Sequence, residues 1–148
     1  MAAIVDFLKG AGTDGAGRTV FDVVAMDDRA IERTHDFIQW LFPLAELSGA
    51  NRRAPVLSAA DVEEVQACGM CQVALAAATD RMSAFYSHNT HWLVPHDHNH
   101  LRITRIIKSL RLLRGPDEAE DFRRIVLRRD EEAGRPVSAG SRQYWMQA

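Results

Sequence analysis

The sequence is short of several things, and each shortage excludes a class of protein. No apolar run approaches the roughly 18 residues that cross a bilayer as a helix, so no membrane span is expected. The start, Met1-Ala-Ala-Ile-Val-Asp6, lacks a basic segment and a long apolar stretch, so it does not read as a secretory signal. Cysteine is confined to Cys68 and Cys71, which allows one disulfide at most and makes a reducing, cytoplasmic setting the default expectation. Net charge is nearly absent, −2 at pH 7, which argues against a general nucleic-acid binder. Lysine is scarce: Lys9 and Lys108 stand against 16 arginines. Arginine suits two-point contact to carboxylate or phosphate, although GC-rich codon usage produces the same skew. Strand-like alternation, internal repeats and low-complexity tracts are missing too.

What is present describes a globular helical chain. The 148 residues are 47% hydrophobic and 26% charged, and a chain of that length buries roughly 68% of its extended surface. Thr19-Val-Phe-Asp22 and Ser58-Ala-Ala-Asp61 read as capping boxes that open helices. Asp27 and Asp28 offer further N-caps to a helix whose stripe is Ile31, His35, Ile38 and Phe42, ended by Pro43. From Ser58 to about Tyr86 the chain is rich in Ala, Gly and Cys, which suggests one long, enclosed central helix. Residues 100–114 carry the stripe Ile103, Ile106, Ile107, Leu110 and Leu113, and Gly115 fits a left-handed stop before Pro116. The expected fold is all-α, a compact single-domain bundle over residues 1–148. About six or seven helices surround the 58–86 helix, with the 100–114 helix packed on it.

Three clusters could carry chemistry. Cys68-Gly-Met-Cys71 has the spacing of thiol–disulfide enzymes and of half a zinc site. The helical period places it inside a helix already ten residues long, where packing thiols are the expectation. His96, His98 and His100 are dense enough to suggest a metal, though Asp97 is the sole carboxylate near them, and capping or hydrogen-bonding histidines are the plainer reading. Arg102, Arg105, Lys108, Arg111 and Arg114 form a basic ridge at three-residue steps. It is either a solvated face paired with the acids at 117–121, or an anion site near its start, where His98 and Asn99 join Arg102 and Arg105. His35, on the apolar stripe, reads as a hydrogen-bonded core residue, and Trp40 and Phe42 as core or pocket wall.

Two blocks make the sequence less anonymous. His35-Asp-Phe-Ile-Gln-Trp-Leu-Phe-Pro-Leu44 with Glu46 and Ser48, and His98-Asn-His-Leu-Arg-Ile-Thr-Arg-Ile-Ile-Lys-Ser-Leu110, resemble the conserved region of the opioid growth factor receptor family. Asp27-Asp28, Asn51 and Phe85-Tyr86 fit it as well. The resemblance covers Thr19 to Leu113 and leaves residues 1–18 as a loosely matched extension. Animal members are described as receptors for an enkephalin-type growth peptide, associated with the outer nuclear envelope; the short chain resembles stand-alone bacterial members. The matching polar positions are His35, Gln39, Trp40, His98, Asn99, Arg102, Thr104, Arg105 and Lys108.

The resulting expectation is a ligand- or partner-binding domain, with those residues around one polar site for a small anionic ligand or peptide. No cofactor, metal or nucleic acid is expected. The alternatives are an enzyme using His35 or His98 as general base, and a structural interaction module.

Overall fold

A computed structural model describes residues 3–49 and 51–148, and the regular structure of the described residues is all helical, without strands. The order is α1 (Ala3–Leu8), α2 (Val20–Val24), α3 (Asp28–Arg33), α4 (Ile38–Leu41), α5 (Ala59–Ala67), α6 (Gly69–His88), α7 (His98–Leu113), α8 (Pro116–Glu132) and α9 (Ala139–Gln147). The all-α expectation holds. The count among the described residues is nine rather than six or seven, because two expected helices are each divided.

The first division falls in the 27–42 stripe. The chain leaves the helix after Arg33, Thr34 is extended at φ −96° and ψ 125°, and a new turn begins at Ile38. His35 therefore lies between helices and is exposed, not buried on a helical stripe. Phe37, fully buried, fills the core instead. The second division falls at Cys68, extended at φ −92° and ψ 112° between α5 and α6. Gly69 follows, a poor helix former. The break leaves few orphaned groups: Gln72 N bonds the Cys68 carbonyl at 3.0 Å, and the Val65 carbonyl accepts from Cys68 N at 3.3 Å and from Gln72 Nε2 at 3.0 Å. The Cys-x-x-Cys pair thus opens a 20-residue helix rather than lying inside one.

The chain forms two compact units, Met1–Ala78 and Thr79–Ala148, with α6 contributing its first half to one and its second half to the other. In the first unit α1 packs against α4 and α5. Its core holds Ile4, Phe7, Val20, Ile31, Phe37, Phe42, Val65 and Leu75, all at most 1% exposed. The capping boxes at Thr19/Asp22 and Ser58/Asp61 form as expected. The connecting loop is held by the buried Asp14, which accepts hydrogen bonds from the Ala16 and Arg18 amides and pairs with Arg18 Nε at 2.8 Å. The α6 helix is not enclosed here, since Met70 and Val73 are 61% and 71% exposed.

In the second unit α7 packs chiefly against α8 and also against α9. Its buried stripe is the expected one, Ile103, Ile106, Ile107, Leu110 and Leu113. Tyr86, Trp92, Phe122 and Trp145 are all buried, and their rings meet edge-on or tilted at 5.2–6.3 Å. Gly115, at φ 109° and ψ 171°, stops α7, with its amide bonded to the Leu110 carbonyl at 3.0 Å, and is also the N-cap of α8, with Pro116 in the first turn. Gly134 ends α8 at φ 87°, with the Gly134 amide bonded to Glu131 O and the Arg135 amide to Asp130 O, a Schellman closure.

Candidate functional site

In the second unit, the first turn of α7 gathers a polar network. Asp97 is its N-cap, and Oδ2 accepts from Asn99 N at 3.0 Å and from Asn99 Nδ2 at 2.9 Å. Asn99 is fully buried, and its Oδ1 accepts from the Tyr86 hydroxyl at 3.1 Å. Its Nδ2 also lies 3.5 Å from ring nitrogens of both His91 and His98. His98 is exposed, and its Nδ1 stands 3.9 Å from Asp97 Oδ1, beyond a hydrogen bond. His100 faces another way: Nε2 meets the Trp92 carbonyl at 2.8 Å and Nδ1 meets Ser141 Oγ at 3.0 Å. Both its ring nitrogens are engaged, which removes it from the His96-His98-His100 metal reading.

The basic ridge divides along its length. At its end, Arg111 Nη2 pairs with Glu120 at 2.6 Å and Arg114 with Glu118 at 3.2 Å, so this part is the paired surface face. The Arg111 hydrogen bond holds the Glu120 carboxyl below its ordinary range, against opposing desolvation and with further help from Arg123. At its start, Arg102 is buried at 6% exposure, Arg105 is half-buried and Lys108 is exposed. Thr104 spends its hydroxyl on the His100 carbonyl at 3.1 Å, a bond inside the helix. Of the expected site residues, the second unit brings together His98 and Asn99.

His35, Gln39 and Trp40 belong to the first unit. Gln39 is buried, and its Oε1 has no hydrogen-bond partner among the described residues. Trp40 is half-buried and meets the Phe7 ring edge-on at 5.6 Å.

The first unit also holds a feature that the sequence patterning does not announce. A groove of about 640 Å³ runs along α1, α2 and the start of α6, walled by Leu8, Val20, Phe21, Met70 and Val73. Lys9 is the one charged residue lining it, and its Nζ pairs with Glu64 at 2.6 Å. The Glu64 hydrogen bond raises the Lys9 pKa above its ordinary value, against desolvation. Phe21, Met70 and Val73 are each more than 60% exposed. Single exposed apolar side chains are ordinary, but three on one groove are not. The signal available in the sequence is the apolar Phe21, Met70 and Val73 at positions that the core does not need.

The opioid growth factor receptor (OGFr) conserved region matches residues 18–92, about half of the chain. The chain belongs to this family. It is 38% identical to the opioid growth factor receptor of Mus musculus over a match covering 54% of the chain and 15% of that protein. The corresponding receptors of Rattus norvegicus and Homo sapiens are 36% and 35% identical over 54% of the chain and 17% and 14% of theirs. The chain therefore spans about a sixth or less of the curated relatives it matches. No solved structure matches it significantly. The family match includes the capping boxes, His35 to Trp40, the start of α6 and the whole groove except its α1 wall, while α7 lies beyond it.

Proposed function

We propose that the chain is a non-catalytic binding module of the opioid growth factor receptor family, and that its ligand is a short peptide with apolar side chains seated in the α1/α2/α6 groove. The observation that carries this reading is the groove itself. Its volume is in the range of ordinary ligand sites, and its exposed Phe21, Met70 and Val73 supply apolar contact. Lys9 adds a cation at which a peptide carboxylate competes with Glu64. The named relatives are receptors for a growth factor, which supports a peptide as the ligand class.

The test is fluorescence anisotropy with labelled opioid growth factor and a panel of short apolar peptides, on the wild type and on Val73→Asp. Val73 is 71% exposed, so the substitution should leave folding within about 0.5 kcal/mol while weakening binding at least ~10-fold. Equal affinity in both proteins sinks the groove as the site.

A second reading keeps the anion site at the start of α7. It is supported by Asn99 and Arg102, two polar side chains buried on the same helix. On α7 itself His98, Asn99, Arg102, Arg105 and Lys108 are its candidate residues for a small anionic ligand. A thermal-shift screen of phosphate, sulfate and nucleotides on wild type and Arg105→Ala tests it: stabilisation lost in the variant supports it, and no stabilisation in either removes it.

A further inference from the structure

The break at Cys68 changes what the cysteine pair is. Cys68 takes the N-cap position of α6 and Cys71 the third helical position, because Cys71 N donates to Cys68 Sγ at 3.2 Å while Gln72 N bonds the Cys68 carbonyl at 3.0 Å. A cysteine sulfur here fills the place that a serine or aspartate oxygen fills at other caps. The Cys68 sulfur therefore lies against the backbone of the residue that carries the second thiol. Both are free thiols; Cys68 is half-buried, and Cys71 is wholly buried. Gly69 and Met70, the exposed residues that follow Cys68, line the apolar groove, which gives an approach to this end of the helix.

We propose that Cys68 and Cys71 form a thiol–disulfide exchange site, with Cys68 as the attacking thiolate and Cys71 as the resolving thiol, acting on an accessible disulfide. The first step forms a bond from Cys68 Sγ to one sulfur of R–S–S–R and expels RS⁻, which takes up the proton that Cys68 released. Cys71 then gives its proton to solvent and attacks Cys68 Sγ, closing the Cys68–Cys71 disulfide and expelling the second RS⁻, which is protonated in turn. Two electrons pass from the cysteine pair to the substrate, and two thiols leave.

The surroundings differentiate the two sulfurs. Burial raises the Cys68 pKa, but hydrogen bonds from the Cys71 thiol and from the Cys71 and Met70 amides, with the charge of Lys9, bring it below its ordinary value. Cys71 is pushed up to about 12, first by burial and then by its hydrogen bond to Cys68, with Glu64 adding to the rise and Lys9 opposing it. The share due to Cys68 disappears once Cys68 is joined to substrate and no longer carries charge, which releases Cys71 for the second step.

The test equilibrates the reduced full chain in glutathione buffers of increasing oxidation, followed by mass spectrometry of the intact chain and its peptides. The expected product is a chain lighter by two hydrogens with a cross-linked Cys68–Cys71 peptide. Cys71→Ser and Cys71→Ala should instead accumulate a glutathione adduct on Cys68, and either variant suffices if the other fails to fold. In the reduced wild type at neutral pH, iodoacetamide should label Cys68 at least ~10-fold faster than Cys71. The proposal is overturned if no Cys68–Cys71 disulfide forms in excess oxidised glutathione while the circular dichroism stays native. Equal labelling of the two cysteines overturns it as well, as does a pair that holds zinc after purification and remains inert to the disulfide.

Discussion

His100 Nε2 lies 2.8 Å from the carbonyl oxygen of Trp92, with both residues buried. The ring therefore carries its proton toward that carbonyl and accepts from Ser141 Oγ through Nδ1. The His100 carbonyl meanwhile accepts from Trp145 Nε1 at 3.0 Å, and the two rings meet edge-on at 5.4 Å. One residue thus ties the loop after α6 and the C-terminal α9 to α7. His100→Ala should lower stability by about 2–4 kcal/mol, because it strands a buried carbonyl and opens a cavity. Urea denaturation measures this, and a loss within about 0.5 kcal/mol, the range of an ordinary surface substitution, would remove His100 from that role.

Asn99 tests whether the first turn of α7 is architecture or binding surface. Tyr86→Phe deletes the hydroxyl that donates to Asn99 Oδ1 and should cost about 1–2 kcal/mol. In a double-mutant cycle with Asn99→Ala, the two losses should be clearly less than additive, since both remove the same bond. Full additivity would mean that the Tyr86–Asn99 bond contributes nothing to the fold.

The parts that read correctly from sequence are those whose partners lie a few residues apart. The Thr19/Asp22 and Ser58/Asp61 boxes are local spacings, and the Ile103 to Leu113 stripe is a long, uninterrupted period. The Arg111–Glu120 and Arg114–Glu118 pairs follow from the acidic start of the next helix. Breaks inside a continuing period are a different matter. Ile31, His35, Ile38 and Phe42 keep helical spacing although the backbone leaves the helix at Thr34, because tertiary packing of Phe37 overrides the local pattern. Cys68 is hidden for a related reason: its Ala-rich flanks continue the helical composition, and sulfur is a weak acceptor absent from the usual N-cap set. The groove escaped because it is assembled from α1, α2 and α6, which no sequence window contains together.

Gly10 lets the ring of Phe21, which walls that groove, lie against the end of α1. It closes α1 at φ +78°, with its amide bonded to the Phe7 carbonyl and the Ala11 amide bonded to the Asp6 carbonyl. A Cβ there would lie 2.8 Å from Phe21 Cε2. Phe21 is 69% exposed, so its ring can move aside, and the left-handed backbone is the larger cost. Gly10→Ala should destabilise by about 1–2 kcal/mol. Phe21→Ala in the same chain should recover less than half of that, and full recovery would show that the ring contact dominates. Urea midpoints of the four proteins decide between the two.

Cys71 gives the fold a defined sensitivity to alkali. Its thiol is pushed up to about 12 by burial first and the Cys68 hydrogen bond second, whereas an exposed thiol in the unfolded chain ionises near about 8.5. Between those values the folded state holds the proton that the unfolded state has lost, so stability falls as pH rises and is fully present only below the unfolded value. Lys9, raised by its hydrogen bond to Glu64, loses its contribution in the same direction as pH rises past its ordinary 10.5. Cys68 acts at the other end: its lowered pKa contributes above the unfolded value and is lost as pH falls through the folded one. The separation comes from comparing wild type with Cys71→Val under reducing conditions, by urea midpoints at about pH 8 and about pH 10. The wild type should lose more stability over that interval than Cys71→Val. Lys9 titrates in both proteins, so parallel declines would show that Cys71 ionises as freely in the fold as in the unfolded chain.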